Sequence, residues 1–291
     1  MKAIEFFCGI GGFAGAFDGD VCLAIDQDQF ALETYRLNFS HPTSGKTVRS
    51  IPSNALARYQ ADLWWASPPC QPFTTKGMRR MLADTRAEPL GHLLDHLAAV
   101  RPRHFAMENV LGFANSPGEV LVRQTLADLG YDHIQTMEIC PSRLGIPNRR
   151  PRFYLIASQN PLLPVAIPAP RPPAPLAAYL AEEVQRWLVP EDWLCQFHQA
   201  MDILKSDDRH AVAKTFTSGY GRSPVRCGSY LETACGEVRF FTPKEILALL
   251  GFPPEFRFPG AETPRQAWKR LGNSLSIPAV TLALKAIPRT N

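Results

Sequence analysis

The segment Ser67-Pro68-Pro69-Cys70-Gln71-Pro72-Phe73 sets one thiol on a stiff turn directly after the apolar run 63–66. Proline fixes φ and lacks a backbone N–H, so Pro68 and Pro69 hold the turn in one shape, and Pro72 suits the entry of a following helix. A thiol near a helix start and close to cations shifts toward the thiolate, the species that attacks carbon. Lys76, Arg79, Arg80 and Arg86 cluster just downstream, and such a cluster could also neutralise phosphates. The alternative is a structural cysteine beside a proline turn, since most cysteines are small buried hydrophobes.

Two further groups complete a chemistry with Cys70. Met107-Glu108-Asn109-Val110 closes the apolar run 104–107 with a carboxyl flanked by apolar residues. Burial keeps a proton on such a group near neutrality, available to a ring nitrogen; the rival reading is a strand-end acid capping a helix. In Asn148-Arg149-Arg150-Pro151-Arg152, Arg150 and Arg152 share a face if the chain is extended, and two guanidinium groups can hold a carbonyl oxygen, a carboxylate or a phosphate. A thiolate, an acid and a cationic contact are what methylation of cytosine at C5 requires. C5 is a poor nucleophile until a thiolate adds at C6 and converts the ring to an enamine.

Phe6-Phe7-Cys8-Gly9-Ile10-Gly11-Gly12 follows a first strand and precedes a helical stretch, and Asp26 ends the second strand. Glycines there let a nucleotide approach the backbone, and the acid can bind both ribose hydroxyls. The same spacing satisfies a loose dinucleotide fingerprint, so an NAD-dependent oxidoreductase is a rival. That reading leaves Cys70, Glu108 and the arginines without a shared task. A catalytically idle nucleic-acid-binding protein is a third reading, opposed by the intact nucleophile and acid.

The elements that must position these residues are those of an α/β fold. Short apolar runs at 3–7, 21–25, 63–66, 104–107, 133–139 and 153–157 predict strands, and helical spacing covers 29–38, 91–100 and 119–129. This alternation predicts a parallel sheet with crossover helices, whose chemistry gathers at the carboxyl ends of the strands. The proline-rich stretch 161–175 is a stiff connector. The expected division is a catalytic domain over 1–158, a small recognition domain over 159–265, and a segment 266–291 that includes a helix over 276–287. At 291 residues, with 45% hydrophobic and 20% charged residues and a net charge of +4, the composition is that of a soluble globular protein. The seven cysteines form no Cys-x-x-Cys pair, so no metal site is expected, and reduced thiols suit a cytoplasmic protein.

With these segments in hand, the chain resembles the cytosine-5 methyltransferase family along nearly its whole length. The motifs, in the family's order, are Phe7 to Gly12, Ser67 to Gln71, Glu108 to Val110, Asn148 to Arg152, Phe241-Thr242-Pro243-Lys244-Glu245 with Leu250 to Pro253, and Gly272-Asn273-Ser274. The resemblance implies a Rossmann-like sheet flanked by helices plus a smaller target-recognition domain. It makes Cys70 the nucleophile, Glu108 the acid, and Arg150 and Arg152 active-site arginines. It also implies S-adenosylmethionine held by Phe7, Gly9, Ile10, Gly11, Gly12, Asp26, Gln27, Val48, Ser67, Asn273 and Ser274.

The chain is most similar to the branch historically called DNA methyltransferase homologue two, which methylates an anticodon-loop cytosine of tRNA. That branch carries Cys-Phe-Thr where this chain has Thr215-Phe216-Thr217. The implied partner is tRNA, with DNA second, met by a monomer with no membrane contact. Lys76, Arg79, Arg80, Thr215, Phe216, Thr217 and Tyr220 are the expected substrate contacts. Phe216 and Tyr220 offer rings for base stacking, with core packing as the alternative.

Overall fold

A computed structural model describes residues 1–69, 88–181, 187–260 and 262–288. Cys70, Lys76, Arg79, Arg80 and Arg86 lie outside the described residues. The chain groups into two units, the first of 1–69, 88–139, 151–166 and 280–288, the second of 140–150 and most of 167–279. This differs from the division drawn at 158 and 265. Residues 140–150 and 266–279 group with the second unit, and only the chain from 280 onward groups with the sheet.

The first unit holds β1 (Lys2–Phe6), β2 (Asp20–Ile25), α1 (Gln29–Asn38), β3 (Thr43–Ser44), α2 (Ser53–Ala57), β4 (Leu63–Ala66), α3 (Glu88–Val100), β5 (His104–Val110), α4 (Pro117–Asp128) and β6 (His133–Ile139). After β7 (Asn148–Arg149), which belongs to the second unit, comes β8 (Arg152–Ser158). One sheet runs in the order β3-β2-β1-β4-β5-β8-β6. Its strands form because their apolar runs are buried on both faces: Ile4, Phe6, Trp64, Trp65, Phe105 and Met107 are wholly inaccessible. Asp28 caps α1 by accepting from the amides of Phe30 and Ala31.

All six predicted strands lie in this sheet, but β8 runs antiparallel to both β5 and β6. The reason lies in the connection. A parallel return needs a crossover of a dozen or more residues, usually a helix, and the chain from 140 to 151 forms only a 3₁₀ turn and β7.

Register sets the working edge. Phe6 pairs with Ile25 on one side and Ala66 on the other, and Ala66 pairs with Met107. The next residues, Phe7, Asp26, Ser67 and Glu108, therefore stand at one level. The strand predicted over 104–107 continues to Val110, placing Glu108 inside it.

In the second unit β7 pairs with β10 (Ala213–Lys214), and β9 (Ile203–Lys205), β11 (Tyr230–Glu232) and β12 (Val238–Phe240) form a small sheet. Helix α5 (Glu191–Phe197) precedes this small sheet and α6 (Pro243–Leu250) and α7 (Pro264–Gly272) follow it; α8 (Ile277–Leu284) is the last helix among the described residues. Capping boxes start α6 and α7. Glu245 also holds the buried Arg239 guanidinium by bonds of 2.7 and 2.8 Å.

Candidate active site

The turn after β1 is built for close approach. Phe7, Gly9 and Gly11 have φ of 57°, 53° and 92°; for Phe7, a non-glycine residue, the left-handed region costs about 1–3 kcal/mol. Gly11 accepts this because it packs on aromatic rings, where an added Cβ would fall 2.4 Å from Phe39. At Gly9 an added Cβ meets nothing within 4 Å, so space lies open above the turn. Asp26 ties the turn to the second strand, its Oδ2 accepting from the Gly9 amide and its Oδ1 from the Asp28 amide, each at 2.8 Å. Burial pushes the Asp26 carboxyl up, and these two amides oppose the rise. Ile10, Gly11, Gly12 and Val48 are buried, whereas Gln27 is exposed. His96 on α3 bridges the Val48 carbonyl at 2.9 Å and the Ser53 hydroxyl at 2.7 Å.

The second cluster lies where β4 and β5 end. Ser67 Oγ accepts from Trp65 Nε1 at 3.0 Å, and the Asn109 amide donates to the Pro68 carbonyl at 3.3 Å. Asn109 thus ties the turn leading to Cys70 onto the strand that carries Glu108. Asn109 is not among the expected site residues; its signal in the sequence is a second polar residue at the end of an apolar run. Glu108 Oε1 lies 3.1 Å from Arg152 Nε. The register explains the pair: Arg152 opposes Val110, and residues two apart on a strand share a face. Expectation gave Glu108 an apolar setting; the structure adds a cation beside it.

Arg150 does something else. It is buried and donates to the carbonyls of Phe216 at 3.0 Å, Gly272 at 3.0 Å and Ser274 at 2.5 Å. In place of the expected pair of arginines on one face, Arg152 meets the acid and Arg150 grips backbone. Of the two readings of Phe216 and Tyr220, both buried, core packing holds, so neither ring is the substrate contact expected of it. Tyr220 Oη donates to the Ser229 carbonyl at 2.7 Å and accepts from the Phe241 amide at 2.9 Å. Its ring packs against Phe216, Tyr230, Phe240 and Trp268 at 5.0 to 5.7 Å, which leaves no face for a base. The Thr215 hydroxyl donates to the Arg149 carbonyl at 2.8 Å, and Thr217 Oγ1 accepts from the Gly219 amide at 3.3 Å. Asn273 is exposed and Ser274 buried.

Residues 1–223 and 196–289 match the family described as C-5 cytosine-specific DNA methylase. The chain belongs to this family. Among relatives of this methylase are the tRNA (cytosine(38)-C(5))-methyltransferases of Bos taurus, 28% identical, and Homo sapiens, 29% identical, each alignment covering 99% of both chains. The solved structure of the Entamoeba histolytica methyltransferase EhMeth matches with a TM-score of 0.90 at 26% identity, covering 98% of this chain and 97% of that one.

Membership implies S-adenosylmethionine as methyl donor, and the residues present suit it. The first unit offers the open space at Gly9 and the half-buried carboxyl of Asp26. Among the described residues no group of His, Cys, Asp or Glu side chains could hold a metal ion, and no helix is long and apolar enough to cross a membrane.

Proposed function

We propose that this methylase transfers a methyl group to C5 of a cytosine in the anticodon loop of tRNA, through a temporary bond between Cys70 Sγ and C6. The observation that supports the tRNA reading is end-to-end likeness: the alignments with the two tRNA methyltransferases above extend over 99% of this chain and 99% of each relative. Physical argument points the same way. A loop base is already unpaired, whereas extracting one from a duplex costs a few kcal/mol.

S-adenosylmethionine, when bound, supplies an electrophilic methyl on a sulfonium. Phe7, Gly9, Ile10, Gly11, Gly12, Asp26, Gln27, Val48, Ser67, Asn273 and Ser274 would hold it. The Cys70 thiolate adds to C6, and the ring electron pair moves toward C5. Glu108 supplies a hydrogen bond or proton at N3, and Arg152, fixed on Glu108, steadies the charge growing at O2. After C5 accepts the methyl, loss of its proton and departure of Cys70 Sγ restore the ring. Lys76, Arg79 and Arg80 would meet phosphates, and Thr215 and Thr217 the RNA. The working form is a cytoplasmic monomer.

DNA is the second reading, favoured by the family's own description. Transfer of labelled methyl to matched tRNA and genomic DNA, followed by bisulfite mapping, separates the two. The expected result is one modified anticodon-loop cytosine and little DNA label. Label confined to DNA would overturn the tRNA assignment.

A further inference from the structure

Glu5 interrupts the apolar strand β1, is 1% exposed, and has no task in the chemistry above. Tyr35 Oη on α1 lies 3.2 Å from Glu5 Oε2 and 3.0 Å from His41 Nδ1. A phenol carries one proton and can donate to only one of them. Both contacts are hydrogen bonds only if a partner donates to Tyr35, either His41 through an Nδ1–H or Glu5 through a carboxylic O–H. Glu5 Oε1 makes no hydrogen bond of ordinary geometry among the described residues. An ionised buried carboxylate with one oxygen so placed is far costlier than a neutral acid.

We infer that Glu5, Tyr35 and His41 form an uncharged hydrogen-bonded chain, Glu5 donating to Tyr35 and Tyr35 to His41 Nδ1, which positions the glycine turn for S-adenosylmethionine. The link to the turn is steric. An added Cβ at Gly11 would fall 3.1 Å from the Tyr35 ring, so Gly11 rests on the residue that the chain holds in place.

The surrounding groups favour the neutral form. Burial pushes the Glu5 carboxyl well above the usual range; the Tyr35 hydroxyl and the Phe13 amide oppose this, the Asp26 charge adds to it, and the Ala14 amide opposes it weakly. Burial pushes His41 down against the pull of Asp20. Cys8, on the turn itself, is pushed up by burial and by Glu5 and Asp26, with Arg36 opposing. Glu5, Tyr35 and His41 are therefore positioning residues.

This inference rests on reading the Phe7–Gly12 turn as the cofactor cradle. The test is calorimetric titration of the full chain with S-adenosylmethionine across neutral and alkaline pH. Once Glu5 ionises, affinity should fall by up to about tenfold per pH unit. Glu5→Gln, which donates to Tyr35 without a titrating proton, should flatten this profile and restore binding relative to Glu5→Ala. Tyr35→Phe removes both hydrogen bonds of the chain and should weaken binding by at least about fivefold, the worth of a single hydrogen bond, with circular dichroism unchanged. Superimposable pH profiles for the wild-type chain and Glu5→Gln would overturn the inference, as would a Glu5→Gln protein that folds yet binds nowhere. A carbon-13 titration of the Glu5 carboxyl in the wild-type chain removes dependence on variant folding: a midpoint near the reference of about 4.3 overturns it, a clearly higher one supports it. No binding by the wild-type chain at any pH would instead strike the cradle reading.

Discussion

Glu108 and Arg152, 3.1 Å apart, are the two residues of the proposed chemistry that meet among the described residues. Glu108→Gln keeps the shape of the side chain and removes its acid. It is expected to lower kcat by about 10²–10⁴-fold, the usual worth of a positioned acid or base, with S-adenosylmethionine affinity within about twofold because the side chain lies on another strand from the glycine turn. Wild-type kcat across the pH range would end the proton role. Cys70→Ala is expected to abolish turnover and the stable adduct with 5-fluorocytosine RNA while cofactor binding persists. Either surviving adduct or surviving turnover would exclude Cys70 as nucleophile.

Single hydrogen bonds also decide how whole elements sit. Asn109 ties the turn before Cys70 to β5 through the Pro68 carbonyl; Asn109→Ala should cost about 1 kcal/mol of stability and lower kcat more than it raises the KM for cofactor. A KM effect alone would show that the tie does not serve the nucleophile. In the second unit Arg150 joins the segment at Phe216 to the turn Gly272–Ser274. A lysine ammonium keeps the charge but lacks the planar fork that spans three carbonyls. Urea unfolding of Arg150→Lys should therefore show a loss of roughly 2–4 kcal/mol, and unchanged stability would argue against the clamp. Gly272 permits that joint, since an added Cβ would lie 2.2 Å from the Thr217 carbonyl carbon and the Ser218 amide. Backbone cannot swing aside as a flexible side chain can.

For the whole molecule, stability should fall on both sides of a middle pH. His104 is buried, and desolvation pushes it down to about 4. The unfolded chain binds that proton more readily, so stability is lost as pH falls from about 6.5 toward 4. Glu5 has the opposite sign: its raised folded value means stability is lost as pH rises above about 4.5 toward that value. Thermal unfolding across pH should flatten on the acid side in His104→Phe and on the neutral-to-alkaline side in Glu5→Gln; unchanged profiles would remove either group as a cause. The sequence by itself determined where the six predicted strands lie along the chain, because an apolar run too short for a helix must be buried and the break in it marks the edge of the core. Asp26 and Ser67 were legible for that reason, and Glu108 as the first polar residue of a run whose strand goes on to Val110. Tertiary structure alone decided the direction of β8, the parting of Arg150 from Arg152, and the burial of Phe216 and Tyr220. A guanidinium or an aromatic ring takes its role from the carbonyls, acids and rings brought beside it by distant parts of the chain, and local spacing carries no record of them.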